Sequence, residues 1–109
     1  MENNNSFFNP INVGLTESDY LKIISVFRQF PELEEVILYG SRAKGNYQPY
    51  SDIDIVLKGK DLNTSIQNKI SLALDDLYLP YVFDVSILST IDNQDLIDHV
   101  NRVGIVFYR

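Results

Sequence analysis

Val36-Ile37-Leu38-Tyr39-Gly40-Ser41-Arg42-Ala43-Lys44-Gly45 and Ser51-Asp52-Ile53-Asp54-Ile55-Val56-Leu57 decide the reading of this chain. In the first, a short β-prone run stops at a glycine and a serine. In the second, carboxylates alternate with aliphatic residues. Side chains on a strand alternate faces with period two, so Asp52 and Asp54 point one way while Ile53, Ile55 and Leu57 point the other. Two carboxylates on one face repel each other, which is costly unless protons or cations intervene. Hard divalent cations are natural partners for such oxygens, and Mg²⁺ typically combines a few carboxylates with substrate phosphates.

Between the two runs, Gly40 to Tyr50 reads as a loop rich in Gly, Asn and Pro. Glycine lets backbone approach a ligand closely. The Ser41 hydroxyl and neighbouring amides can donate to phosphate oxygens, and a short helix beginning at Ser41 would add to that preference. Arg42 and Lys44 bring positive charge within the same few residues. The block has neither the ending of a Walker loop nor the spacing of a dinucleotide fingerprint. Taken alone, it reads first as a plain strand-to-loop turn.

Further along, Tyr81 to Leu88 reads as a third strand, with Phe83, Val85 and Ile87 on one face and Asp84 and Ser86 on the other. An edge strand with a wet face would explain a lone Asp there. A third ligand meeting Asp52 and Asp54 would also explain it.

The remaining segments supply helices and a last strand. Thr16, followed by Glu17 and Asp19, has the form of a helix start. Tyr20, Ile23, Ile24 and Phe27 recur at helical spacing, so a helix is expected over Glu17 to Gln29, limited by Pro31. Leu62, Ile66, Ile70 and Leu74 mark a second helix over Leu62 to Leu77. A third, capped by Ser89 or Thr90 and facing inward through Leu96, Ile97 and Val100, stops at Gly104. Ile105 to Tyr108 forms a final strand. The expected order is α-β-β-α-β-α-β. The first two strands are too close in sequence for a helical crossover and should pair antiparallel. The fold class is therefore α/β in composition, more strictly α+β: a mixed β-sheet with helices packed on it.

Residues 1–14, with an Asn run, Pro10 and Gly14, read as a loosely ordered arm carrying Phe7 and Phe8, which dock on the body or on a partner. Residues 15–109 make one domain. The chain has 109 residues, no cysteine and a formal net charge of −6. Without cysteine there is no disulfide framework, thiolate zinc site or cysteine nucleophile, and a reducing compartment is suited. No apolar run is long enough to span a bilayer, and the start lacks the pattern of a signal peptide, so cytoplasmic residence is the expectation. An acidic chain lacks the basic footprint of a polynucleotide-backbone binder, and suits a small ligand on a local cationic loop or a basic partner protein.

The combination is more specific than its parts: a strand ending in Gly-Ser, an Asp-x-Asp strand whose first Asp lies 11 residues beyond Ser41, and a strand carrying a single Asp. It resembles the polymerase beta-like nucleotidyltransferase superfamily. Leu38 to Gly45, Tyr50 to Asp54 and the Leu79-Pro80 turn look like its minimal, single-domain branch. The resemblance covers about Thr16 to Tyr108 and implies the nucleotidyltransferase fold. It further implies transfer of a nucleoside monophosphate from a triphosphate to a hydroxyl. Asp52, Asp54 and Asp84 would act as catalytic residues and hold two Mg²⁺ ions, for which Mn²⁺ can substitute. Gly40 and Ser41 would seat the β and γ phosphates of ATP, supported by Arg42 or Lys44. Minimal members often act as antitoxins that adenylylate a tyrosine of a HEPN-domain toxin, which makes a HEPN protein the expected partner. The alternatives are a non-catalytic subunit that neutralises such a partner by contact, and a small-molecule nucleotidyltransferase of the aminoglycoside type.

Other polar residues read blandly. His99 is taken as a solvated helix residue, and Asp75, Asp76, Asp92, Asp95 and Asp98 as helix-surface charge. Tyr47 and Tyr50 either stack on a base or pack over the loop. Ser51 either orients Asp52 or simply begins a strand.

Overall fold

The computed structural model describes residues 8–109. Helix α1 spans Glu17–Phe27, and its start is as expected: the Thr16 hydroxyl accepts the Asp19 N–H at 3.0 Å. Strand β1 is Glu35–Tyr39, helix α2 is Gly40–Lys44 and strand β2 is Ile53–Lys58. Helix α3 (Thr64–Asp75), strand β3 (Phe83–Ile87), helix α4 (Gln94–Val103) and strand β4 (Ile105–Tyr108) complete the chain.

The sheet order is β3-β2-β1-β4. β1 pairs antiparallel with β2 and with β4, whereas β2 and β3 run parallel. The expected mixed sheet is thus what forms. The short β1–β2 link permits only an antiparallel pair, and the α3 crossover allows β3 to run beside β2 in the same direction. Val36, Leu38, Ile53, Ile55, Leu57, Ile87 and Phe107 form the larger core with Ile23, Ile24 and Phe27 of α1 and Ile70 and Leu74 of α3. Tyr39 and Val56, on the other face, pack with Val100 of α4. Helices therefore cover both faces, and each fully buried aliphatic side chain contributes roughly 1.5–3 kcal/mol.

Three expectations need correction. The stretch after Tyr39 is not all loop: Gly40–Lys44 is one short helix, closed by Gly45 in the left-handed region at φ 89°. The third long helix starts later than Ser89 or Thr90. Those residues lie in a 3₁₀ turn, with Thr90 Oγ1 donating back to the Ile87 carbonyl, and Asn93 provides the cap by accepting the Leu96 N–H. The expected arm over 1–14 lies, for residues 1–7 including Phe7, outside the described residues. Its remainder is anchored on the body through Phe8 and Val13, the docking expected of Phe8 among the two phenylalanines. Asn9 caps a 3₁₀ helix over Pro10–Val13, Val13 is buried, and Phe8 stacks on Tyr20 at 5.1 Å. An asparagine cap, a proline at the first helical position and two apolar anchors give these residues a fixed conformation that their turn-rich composition conceals.

Candidate active site

The pairing register assembles the site. Asp54 lies opposite Tyr39 of β1 and level with Asp84 of β3, so the three share one face of the sheet. Asp52 stands one residue before β2. Asp52 and Asp84 are exposed and Asp54 is half-buried. Burial, then the negative charges of Asp84 and Asp52, raise the Asp54 carboxyl above its ordinary range, while His99 opposes the rise. The lone Asp of the third strand is thus a neighbour of the pair.

Tyr39 reports the same crowding. Burial first, then the charges of Asp84 and Asp54, push its phenol up to about 12, against a hydrogen bond with Ser86. Among the described residues, no three His, Cys, Asp or Glu converge into a ready metal cage. The donor set nonetheless suits a hard divalent cation, because its carboxylate oxygens repel one another across adjacent strands and positive charge would relieve that repulsion.

Gly40 joins β1 to α2 at φ +75°, a conformation that disfavours any side chain. A Cβ there would collide with the Asp54 carboxylate. The turn therefore lies directly against the acidic cluster. Ser41 is half-buried, and its carbonyl accepts the N–H groups of Gly45 and Asn46. Lys44 is exposed at the end of α2.

Arg42 is placed elsewhere than expected. It is 1% exposed, and its guanidinium donates to the carbonyls of Val13 (2.9 Å), Gly14 (3.3 Å), Pro49 (3.1 Å) and Ser51 (2.9 and 3.1 Å). Its Cζ lies 5.4 Å from the Tyr47 ring centre and 4.9 Å from that of Tyr81. It ties the residues before α1 to the loop before β2, and its donors are occupied by protein carbonyls. Tyr47 consequently packs over the loop, while Tyr50 is exposed. Ser51 Oγ accepts the Gln48 N–H at 2.7 Å, closing a turn that leads into Asp52.

His99 is the residue the sequence reading missed. It is half-buried, its Nε2 accepts the Gly40 N–H at 3.3 Å, and its ring meets Tyr39 edge-on at 6.0 Å. The signal was helical spacing: Leu96, Val100 and Val103 face the sheet, and position 99 lies on that side of α4. Asp75, Asp76, Asp92, Asp95 and Asp98 are exposed, as expected.

A family model described as "Polymerase beta, Nucleotidyltransferase" matches residues 21–109. A Methanocaldococcus jannaschii relative, designated an inferred protein adenylyltransferase, is 28% identical over an alignment of 102 positions, and the match covers 78% of this chain and 98% of the relative. A crystal structure of a toxin-antitoxin with AMP-PNP contains a chain that superposes with a TM-score of 0.67 at 25% identity, over 82% of this chain and 72% of that one. A complex of a tri-AMPylated Shewanella oneidensis HEPN toxin with its MNT antitoxin shares the fold, with a TM-score of 0.64 at 22% identity over 86% and 72% of the two chains. With the match spanning most of its length, the chain belongs to the polymerase beta nucleotidyltransferase family.

Proposed function

We propose that this nucleotidyltransferase transfers adenylate from ATP to a hydroxyl, a tyrosine of a HEPN-domain partner, and thereby acts as an antitoxin in the cytoplasm. One observation carries the reading: the register that sets Asp54 beside Asp84 also sets Gly40 against Asp54. A phosphate-sized anion at the Gly40-Ser41 turn would thus meet the carboxylates directly. The adenylyltransferase designation of the archaeal relative and the AMP-PNP in the toxin-antitoxin structure support the choice of nucleotide.

In this reading the Gly40-Ser41 turn binds the β and γ phosphates, and Lys44 supplies the cationic support that Arg42 does not. Asp52, Asp54 and Asp84 would hold Mg²⁺, or Mn²⁺ in its place, and the metal would supply charge neutralisation for an in-line displacement. Asp84 is exposed and accepts the proton of the incoming hydroxyl. The new bond joins that oxygen to the α phosphorus, the bond to the bridging oxygen breaks, and pyrophosphate departs. Tyr39 lies close enough to Asp54 and Asp84 to feel their charge, and is hydrogen-bonded with Ser86. The net charge of −6 suits a basic protein acceptor better than a polynucleotide.

The test incubates the purified chain with ATP, Mg²⁺ and a HEPN-domain protein encoded beside it, and reads intact masses. The partner should gain one adenylate mass per modified site, and Asp84→Asn should add none. No mass gain with wild type, together with full neutralisation of the partner by Asp84→Asn, would replace transfer by inhibition through contact.

A further inference from the structure

We infer that His99 is a positioning residue for the phosphate-binding turn. The inference rests on the proposed seating of a triphosphate at Gly40-Ser41, and its own footing is geometric. Gly40 has left the strand and adopts φ +75°, so its amide has no partner in the β1 ladder. Among the described residues its acceptor comes from 59 residues along the chain: the Gly40 N–H donates to His99 Nε2 at 3.3 Å. Nε2 is the acceptor in this bond, which leaves Nδ1 to carry the ring N–H.

The ring itself is held. Tyr39 meets it edge-on at 6.0 Å, and Val100, the next residue of α4, is buried against Tyr39 and Val56. α4 thereby reaches across the sheet face to the joint between β1 and α2. The direction of the Gly40 amide sets the entry angle of α2, and with it the position of Ser41. It also keeps Gly40 pressed against Asp54. A residue that touches neither phosphate nor acceptor thus determines where the phosphate donors stand relative to the carboxylates.

Two variants separate this role from simple packing. His99→Phe keeps a ring against Tyr39 but removes the acceptor. His99→Gln restores an acceptor oxygen on a side chain of similar reach. Amide hydrogen exchange at Gly40 in the free protein should accelerate in His99→Phe and return toward wild type in His99→Gln. Metal-dependent affinity for a non-hydrolysable triphosphate, read by calorimetry, should fall about three- to tenfold in His99→Phe, as for the loss of one ordinary hydrogen bond, and recover in His99→Gln. KM for the triphosphate should rise with it more than kcat falls. Unchanged Gly40 exchange and affinity in a folded His99→Phe protein would overturn the inference. So would a loss that Gln fails to rescue, because that would mark a packing role. Altered Gly40 exchange in a protein whose wild type binds no triphosphate would leave the His99–Gly40 link standing and refute the seating of the triphosphate.

Discussion

Gly40 and Asp54 are packed so closely that the Cβ glycine lacks would fall on the carboxylate of Asp54. The glycine is therefore needed for two separate reasons, its positive φ and the space it leaves. Backbone freedom alone would explain a glycine at the end of any strand. The second reason ties the turn to the acidic cluster, so that a change at one disturbs the other.

Gly40→Ala should lower unfolding stability by about 2–4 kcal/mol, combining left-handed strain with local overpacking. Asp54 must rotate away from its place beside Asp84, so metal-dependent triphosphate binding should fall as well. Urea denaturation and calorimetry read the two effects. A Gly40→Ala protein with native stability and native affinity would contradict the packing described.

The acidic cluster should make the metal-free protein less stable as pH rises. The Asp54 carboxyl titrates above its ordinary value of 3.8 in the fold, by burial and then by the charges of Asp84 and Asp52. Well below 3.8 it is protonated in both folded and unfolded chains and carries no penalty. As pH rises through the interval between the unfolded and the raised folded value, the unfolded chain releases its proton first and stability is lost. Above that interval the loss is complete. With chelator present, Asp54→Asn should therefore melt higher than wild type at neutral pH, with the difference vanishing in acid. A neutral-pH Tm at or below that of wild type would show that the repulsion is already relieved within the protein.

Tyr39 predicts a second, alkaline limb. Its phenol ordinarily titrates at 10.0 and is pushed up to about 12 in the fold, so between these values only the unfolded chain ionises at this position. Stability contributed at Tyr39 is complete below 10 and is lost as pH rises toward 12. Tyr39→Phe cannot ionise and should lose less stability than wild type across that window. Thermal melts of both proteins from neutral to alkaline pH give the comparison, and parallel curves would refute the burial of this hydroxyl beside Asp84 and Asp54.

Much of this arrangement was legible before any coordinates. Period-two alternation put Asp52 with Asp54 and Asp84 with Ser86, and the short β1–β2 link required an antiparallel pair. What alternation cannot give is register between strands. That Asp54 falls level with Asp84 follows from the length of the α3 crossover and from how Ile53, Ile55 and Leu57 pack. Arg42 was misplaced for a related reason. A cation in a glycine-rich turn reads as a phosphate ligand, whereas the carbonyls that hold it belong to Val13, Gly14, Pro49 and Ser51. His99 was hidden by the polar residues around it, Asp98 and Asn101, although its position on α4 already faced the sheet.

Arg42 and Lys44 should consequently separate in experiment. Arg42→Met leaves several carbonyls without their charged donor and should cost about 2–4 kcal/mol of stability. Arg42→Lys should recover only part of this, because one ammonium cannot serve the spread of carbonyls that a planar fork reaches. Lys44→Ala, on an exposed helix end, should leave stability within about 0.5 kcal/mol of wild type and weaken triphosphate binding. Denaturant midpoints and binding isotherms distinguish the two residues. A stable Arg42→Met protein with only a binding defect would return Arg42 to the phosphate site.

Ser41 provides the most direct test of the turn, because its contribution to the fold and to a ligand differ in kind. Within the protein its backbone carbonyl accepts from Gly45 and Asn46, and Ser41→Ala keeps that carbonyl. The fold should therefore survive with little loss. A hydroxyl bonded to a charged phosphate oxygen is worth about 1.5–3 kcal/mol, so triphosphate affinity should drop by roughly ten- to a hundredfold. The metal requirement should persist in Ser41→Ala, since Asp52, Asp54 and Asp84 are untouched. In a double Asp52→Asn, Asp54→Asn protein the opposite pattern is expected: whatever triphosphate binding remains should no longer respond to Mg²⁺. Calorimetric titrations of both proteins with and without the metal give the two signatures. Native affinity in Ser41→Ala would remove the hydroxyl from the site, and Mg²⁺-dependent binding at native strength in the double variant would remove the carboxylates.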